Sequence, residues 1–594
     1  MCGIVGYLGK NDARDVIIKG LHRLEYRGYD SAGIALLNND EHSFHIYKDK
    51  GRVANLEQIT DFSYTTHQGI GHTRWATHGK PNQVNSHPHK SKNSRFYLVH
   101  NGVIDNYKEL IASYLHDSAF DSDTDTEVIA HLIETFSKEL TVSEAIRKTM
   151  SLLEGSYALA IIDTEDSNRL YAAKNKSPLL IGKGPDGVYI GSDLMAFVGF
   201  ADGYVTLDDK SFVEVVGEDI TIYDIIGKEI PFELKTIDVD YLDIEKGEYS
   251  HFMMKEINEQ PSVIRTIIQE YFNEDTVTLN GKIKEALQDS DRLYIIAAGT
   301  SMNAGFIGKE LFEKMAGIPT EVHIASEFAY NMPLLSKNPL FVFISQSGET
   351  ADLRAVLVNI KAKGYRSLTI TNVKTSTLAR EADHFVEIHA GPEIAVASTK
   401  AYTAQIAILA ILAYGLSDKS FNLRKELSKV AISMENLIDK KEYIESLVGD
   451  YLTKHNCFYI GRGIDYYAGL ESALKLKEIS YIQTEGFAAG ELKHGTIALI
   501  EKDTPVIAII SQRSINKNTR SNLNEVISRG AKAIVISTKR VHEKGDQIVV
   551  DDVHELFSPL LTVIPSQLIA YYAALQRGYD IDKPRNLAKS VTVE

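Results

Sequence analysis

The sequence predicts a multi-domain α/β protein: an N-terminal αββα domain of stacked sheets with helices outside, followed by two doubly wound parallel-sheet domains. Three observations predict it. A chain of 594 residues has room for roughly three to four domains with well-buried cores. Up to about residue 240 short strand patterns run together with few helices between them, whereas beyond it apolar strand, loop and helix alternate. The alternating part also repeats itself. Tyr294-Ile295-Ile296 leads to Gly299 as Phe458-Tyr459-Ile460 leads to Gly463, Ser345-Gln346 recurs as Ser511-Gln512, and Gly364 recurs as Gly530. The separation is about 165 residues each time, which implies two copies of one α/β unit.

Taken in order, the first strand starts at Cys2-Gly3-Ile4-Val5-Gly6-Tyr7. Further strand patterns lie at 95–104, 156–163, 169–175, 178–182 and 187–193. Between them 125–138 reads as a helix, because Ile129, Leu132, Ile133 and Phe136 recur at helical spacing. From 236 to 261 the chain turns polar and charged, with Asp238, Asp240, Asp243, Glu245, Lys246 and Glu248, which marks a boundary. The expected division is 1–240 for the front domain, 241–282 for a linker and lead-in helix, 283–425 and 450–583 for the two copies, and 584–594 for a tail. The apolar stretch 401–416, interrupted by Thr403 and Gln405, is too short for a membrane span and reads as a core helix.

Composition narrows the class. Hydrophobic and charged contents of 44% and 24% are those of an ordinary globular protein. The net charge of −16 disfavours a nucleic-acid or anionic-membrane surface, so an anionic ligand must be held by local groups. Two cysteines, Cys2 and Cys457, cannot build a disulfide framework and lack zinc-ligand spacing. That points to a reducing compartment, the cytoplasm, and no signal-peptide pattern opposes it.

Cys2 is placed for chemistry. An initiator methionine before a small residue is usually trimmed, which would leave a thiol of pKa about 8.5 and an amine of about 7.7–8.0 on one Cα. Nucleophile and base would then share a residue; the alternative is a buried small hydrophobe opening the first strand. In the first copy, the strand ending at Ile344 runs into Ser345-Gln346-Ser347-Gly348-Glu349-Thr350 and a helix. Hydroxyls and unpaired amides at a helix N-terminus make an anion cradle, and the absence of a Walker lysine favours a phosphomonoester over a nucleoside triphosphate. The plain alternative is an N-cap at Ser347. The second copy reads Ser511-Gln512-Arg513-Ser514-Ile515, without glycine, so its cradle is expected to be lost. Instead Glu471, Lys475 and Glu478 share one helix face at i, i+4 and i+7. Ordinarily such a stripe is a solvated ion-pair face, but a turn-rich sequel with small residues and His494 follows. The tail carries Lys589, an amine nucleophile if desolvated and otherwise a surface lysine.

With these residues in hand, the chain closely resembles, over nearly its whole length, the glutamine:fructose-6-phosphate aminotransferase (isomerising) family. Its front half is similar to a class II glutamine amidotransferase domain of the Ntn-hydrolase type, and its back half to two sugar isomerase (SIS) domains. The motifs Leu24-Glu25-Tyr26-Arg27-Gly28-Tyr29-Asp30-Ser31-Ala32-Gly33, Thr73-Arg74-Trp75-Ala76-Thr77-His78-Gly79, Val99-His100-Asn101-Gly102-Val103 and Ser122-Asp123-Thr124-Asp125-Thr126-Glu127 carry the likeness. The resemblance implies that Cys2 attacks the glutamine side-chain amide while Asn101 and Gly102 form the oxyanion hole. Arg74 would pair with the glutamine carboxylate and Asp125 with its ammonium, with Trp75, Thr77 and His78 beside them.

On the sugar side the resemblance implies that Thr300, Ser301, Ser345, Gln346, Ser347, Thr350, Val396, Ser398 and Ala588 hold fructose 6-phosphate. Lys589 would form a Schiff base, His494 would assist ring opening and Glu478 would move the proton between C1 and C2, with Lys475 adjacent. His494 would come from the neighbouring subunit of a homodimer, and ammonia would pass through a channel gated by Trp75. Neither cofactor nor metal is implied, and the histidines between His72 and His100, His87 and His89 included, look structural. Ala297-Ala298 and Thr496 depart from common family residues without touching a proposed acid, base or nucleophile. The extra segment of many eukaryotic relatives is absent, which fits a bacterial-type enzyme. Two other readings stand beside this one: an amidotransferase or deglycase of the same build acting on another sugar phosphate, and a non-catalytic sugar-phosphate sensor. A sensor would need the phosphate loop but none of Cys2, Asn101, Glu478, His494 or Lys589.

Overall fold

A computed structural model describes residues 2–39, 41, 43–75, 79–116, 118–237, 245–418 and 421–592. The chain forms two compact units, Met1–Glu245 with Ser590–Glu594, and Lys246–Lys589.

Among the described residues of the first unit, two antiparallel sheets of eight and six strands face each other. In the larger, Gly3–Gly9 lies between Gln68–Arg74 and Gly187–Gly191. In the smaller, Phe96–Ile104 pairs with Gly155–Asp163. Alternating side chains serve both faces, as a period of two requires. Ile4, Ile70 and Ile190 meet Val99, Ala160, Ala172 and Val213 between the sheets. Phe96, Leu98, Leu159 and Ile161 point the other way, against Ile129, Ile133 and Ile146 of the helices Thr126–Phe136 and Val142–Leu152. The helix Ala13–Leu24 covers the outer face of the larger sheet along Gly3–Gly9 and Gln68–Arg74. Local signals fix where helices start: Asp12 accepts from the Arg14 N–H, and Thr141 and Glu144 form a reciprocal capping box. The layers are the αββα arrangement expected, and the helix read over 125–138 is Thr126–Phe136.

The second unit holds two five-stranded parallel sheets of one topology. The first runs Thr320–Ile324, Arg292–Ala297, Pro339–Ser345, Arg366–Thr371, His384–Glu387, and the second Gln483–Ala488, Asn456–Gly461, Pro505–Ile510, Lys532–Thr538, Ile548–Val550. Strands buried on both faces are continuously apolar, as in Leu340–Ile344 and Val506–Ile510. In both copies the loop after the first strand feeds a long helix, Gly299–Leu311 in one and Ile464–Ser480 in the other. A longer apolar helix than 401–416 is also present. Residues Glu555–Gln576 are long and apolar enough to cross a membrane, yet 94% of that window is buried inside the unit, which makes it a core helix. It packs on Ile464–Ser480 and on Leu423–Ile438.

Candidate active sites

In the first unit, the strand Gly3–Gly9 places Cys2 at its start, opposite the end of Gln68–Arg74, with Gly3 paired to Thr73. The thiol is half-buried and accepts from the Trp75 N–H at 3.2 Å. Asn101, on the facing sheet, donates through Nδ2 to the Cys2 carbonyl at 2.9 Å. Its Oδ1 lies 3.0 Å from His72 Nε2. Next to it Gly102 has φ +143°, and a Cβ there would lie 2.0 Å from the Ser156 carbonyl oxygen. Only glycine fits this kink, which turns the backbone beside Asn101.

Burial pushes the Cys2 thiol up, opposed by positive charge at the chain terminus, the Trp75 N–H and Arg74. Arg74 is 4% exposed, and burial lowers its pKa while Cys2, Asp30 and Asp125 act the other way. Asp125 is buried at the start of Thr126–Phe136 and accepts from the Ile104 N–H at 2.8 Å. The Arg74 guanidinium interacts with both the thiol and the Asp125 carboxylate, and such a pair of opposite charges suits the two charged ends of an α-amino acid. Trp75 is half-buried and meets Tyr29 edge-on at 5.9 Å. Thr77 and His78 lie outside the described residues.

The second unit gathers its groups where strands of the first copy end. Adjacent strands Arg292–Ala297 and Pro339–Ser345 bring Thr300 and Ser301, in the first turn of the helix Gly299–Leu311, beside the loop Ser345–Thr350. Ser345 Oγ is 3.0 Å from Thr350 Oγ1 and accepts from the Gly348 N–H, also at 3.0 Å. Ser347 accepts from the Glu349 N–H at 3.2 Å, and the helix itself begins at Ala351. Gly348, at φ +65°, has no room for a Cβ, which would meet Ser376 Oγ at 2.0 Å. Hydroxyls thus ring the N-terminus of a 12-residue helix, a fit for a phosphate. Gln346 is half-buried in the same loop, and Ser301 accepts from Gln405 at 3.0 Å.

The helix stripe of the second copy turns inward. Thr300 and Asn303 donate to the two oxygens of Glu471 at 3.1 and 2.8 Å, and Lys475 Nζ lies 3.5 Å from Glu471 and 2.6 Å from Glu478. Burial pushes Glu471 up to about 7 against the pull of Lys475. Burial alone would lower Lys475, but Glu478 and Glu471 hold it above its ordinary value.

Lys589 reaches the same locality, its side chain only 3% exposed, with Nζ 2.5 Å from Glu393 Oε2. Glu393 also accepts from Ser398 Oγ at 2.8 Å and from the N–H groups of Thr399 and Ala401 at 2.9 and 3.0 Å. Burial opposes its charge, yet Lys589 and those amides hold it at about 2. Its charge is felt at Lys475, which ties the lysine to the stripe. Below the loop, Glu256 of the helix Phe252–Tyr271 accepts from the N–H groups of Ile394 and Ala395 at 2.5 and 2.9 Å. Burial and the Glu393 charge push it up to about 8. Val396 is buried, its N–H donating to the Asp582 carbonyl at 2.9 Å, and Ala588 is half-buried.

The second copy's own cradle is filled from within. Asp465 occupies the position that Ser301 holds in the first copy, and its carboxylate accepts from the Ser511 N–H at 2.8 Å and from Ser511 Oγ. His494 is not brought to this group: it is exposed at the end of Glu491–His494 and hydrogen-bonds none of the described residues.

Sequence reasoning missed Glu393, Glu256, Asn303, Asp465 and His72. Asp465 could have been found by aligning the two copies; Glu393 and Glu256 sit in no pattern that distinguishes them from surface acids. The crowded histidines are a packed stack. His72 lies 4.1 Å from His87 at 11°, His87 lies 4.7 Å from His89, and burial pulls all three down.

Two family models match: the glutamine amidotransferase domain over residues 72–199, and the SIS domain over residues 286–414 and again over 451–577. Among solved structures, the C-terminal domain of glucosamine-fructose-6-phosphate aminotransferase from Francisella tularensis is 37% identical, with a TM-score of 0.53, covering 57% of this chain and 99% of that one. Curated relatives extend the likeness to the whole length. A glutamine–fructose-6-phosphate aminotransferase (isomerizing) of Geobacillus kaustophilus is 57% identical and one of Listeria innocua 56%, each over 100% of both chains. Amidotransferase and doubled SIS domains in one chain, aligned end to end at that identity, establish that the chain belongs to the glutamine–fructose-6-phosphate aminotransferase (isomerizing) family.

Proposed function

We propose that the protein makes glucosamine 6-phosphate and glutamate from fructose 6-phosphate and glutamine, with Cys2 and Lys589 as its two nucleophiles. The observation that carries the sugar half is the buried Lys589–Glu393 pair, joined through Lys475 to the Glu471–Thr300 contact at the hydroxyl-lined loop. Buried and positioned in this way, the amine can form a Schiff base with the open-chain ketose once its proton has been passed on. Glu478, on the same helix face as Lys475, is our choice for the proton shuttle between C1 and C2. Thr300, Ser301, Ser345, Gln346, Ser347 and Thr350 take the phosphate, and Val396, Ser398 and Ala588 line the sugar.

In the first unit, Cys2 with its terminus freed of Met1 attacks the glutamine amide. Asn101 and the backbone at Gly102 receive the oxyanion, and Arg74 and Asp125 hold the amino-acid charges. The ammonia released is delivered to the sugar. Thr77 and His78 complete the glutamine pocket in this reading. The exposure of His494 supports its use by a second subunit, and we infer a homodimer in which it assists ring opening there. Two unpaired cysteines support a reducing, cytoplasmic setting.

The test is glutamate and glucosamine 6-phosphate formation from glutamine, with and without fructose 6-phosphate, for wild type and Cys2→Ala. Equal amounts of both products, dependent on the sugar and lost in Cys2→Ala, are expected. Glutamate without amino sugar would transfer the reading to another acceptor, and neither product would leave a sensor. Intact mass of fully active protein should lack Met1; its retention would remove the amine from the role of base.

A further inference from the structure

The buried histidines of the first unit do more than fill space, and their hydrogen bonds decide which atom goes where. His72 Nε2 lies 3.1 Å from the His100 carbonyl oxygen as well as 3.0 Å from the Asn101 side chain. A carbonyl oxygen only accepts, so Nε2 must carry the ring proton. The Asn101 atom facing it must then be Oδ1, sharing that proton. The Asn101 amide group is left to face the Cys2 carbonyl oxygen at 2.9 Å, which again only accepts. Both contacts select one orientation of the amide, and the flipped one would set donor against donor at His72 and lone pair against lone pair at the Cys2 carbonyl.

The ring is itself held. It stacks on His87 at 4.1 Å and 11°, and His87 accepts from the His100 N–H through Nδ1 at 3.2 Å, so His87 too has its proton on Nε2. His100 in turn places Nε2 3.3 Å from the Ser156 carbonyl and Nδ1 2.9 Å from Thr126 Oγ1. His72 and His100 thus carry a proton on Nε2 because a carbonyl cannot donate, and His87 leaves Nδ1 bare because a backbone N–H cannot accept. Burial, Arg74 and His100 keep His72 neutral, with a pKa pulled down to about 3. The second nitrogen, Nδ1, is buried and has no hydrogen-bond partner among the described residues. That is a cost the fold bears at a position where an apolar ring would pack without it.

We propose that His72 is a positioning residue for glutamine hydrolysis: by donating to Asn101 Oδ1 it fixes the Asn101 amide group on the Cys2 side, where it meets the Cys2 carbonyl and can serve the oxyanion formed at that residue. His72 touches neither glutamine nor the thiol in this assignment and acts only through Asn101. The proposal rests on the reading of Cys2 and Asn101 given above. An oxyanion donor is worth about 10²–10³ in kcat, and a donor that is present but free to turn loses part of that.

The experiment uses the full chain and compares glutaminase kcat and KM for wild type, His72→Phe, His72→Gln, Asn101→Ala and the His72→Phe/Asn101→Ala double variant. Cys2 alkylation by iodoacetamide serves as the check that the unit is folded. His72→Phe keeps the ring and loses the donor; it should lower kcat about 10- to 100-fold, with KM for glutamine and the alkylation rate little changed. His72→Gln returns an N–H and should recover most of kcat. In the Asn101→Ala background His72→Phe should cost nothing further. A His72→Phe variant of normal kcat, a Gln variant no better than Phe, or an equal loss in both backgrounds would overturn the proposal. Full activity of Asn101→Ala would instead overturn the oxyanion reading on which it rests.

Discussion

Replacing Glu256 by glutamine should make the protein more stable, and the gain should depend on pH. Glu256 is 1% exposed; one oxygen accepts two backbone N–H groups and the other is buried without a partner among the described residues. Burial and the Glu393 charge raise its pKa from 4.5 to about 8. The folded chain thus binds one proton more than the unfolded chain between those values, and stability falls as pH rises through that window. At about 1.4 kcal/mol per unit the full shift corresponds to roughly 4–5 kcal/mol, and relaxation around Lys589 and Lys400 brings a working figure to about 2–4 kcal/mol. Glutamine keeps an acceptor for the two N–H groups and never ionises. At pH 5 the variant and wild type should unfold at the same temperature; by pH 8.5 the variant should lead by about 3–6 °C for a unit of this size. Calorimetry at pH 5, 7 and 8.5 in one salt concentration measures this, following the transition that the substitution moves, since two units need not unfold together. A difference that does not grow with pH, or a Gln variant less stable at pH 8.5, would refute the argument.

Other outcomes follow from the same geometry. Glu393→Gln leaves Lys589 buried without its counter-charge and should cost about 3–5 kcal/mol; thermal midpoint and sugar-phosphate isomerisation should fall together while glutaminase turnover without sugar stays normal. Gly102→Ala forces a Cβ to within 2.0 Å of the Ser156 carbonyl; glutaminase kcat should drop at least 10²-fold, with stability down by about 1–3 kcal/mol by denaturant titration. Thr350→Val removes the hydroxyl 3.0 Å from Ser345 and should raise KM for fructose 6-phosphate by about tenfold, equivalent to about 1.4 kcal/mol, while basal glutaminase rates are unchanged.

What the sequence made legible was whatever repeats or keeps a period. The spacing of Gly299 and Gly463 exposes the doubled fold before any sheet is seen, and the stripe of Glu471, Lys475 and Glu478 lies on one face because helical geometry demands it. Their burial was not legible, because it depends on Thr300 and Asn303 of the other copy. Glu393 and Glu256 escaped for the same reason. One lies in a loop and the other on a helix far back in the chain, and only folding makes them neighbours with opposite protonation. His72 was read as structural, and its bond to Asn101 crosses from one sheet to the other.

The carboxylate of Asp465 on Ser511 has a consequence for how the doubled unit moves. The second copy's loop is satisfied by its own chain before any ligand arrives, so it has no free cradle to offer an anion. In the first copy the Ser345 hydroxyl meets Thr350 and accepts from the Gly348 N–H, and a ligand's oxygens would compete for these small local bonds. Rearrangement on phosphate binding is therefore expected in the first copy's loop, whereas the helix that carries Glu478 already holds Ser511 through Asp465 near its N-terminal end.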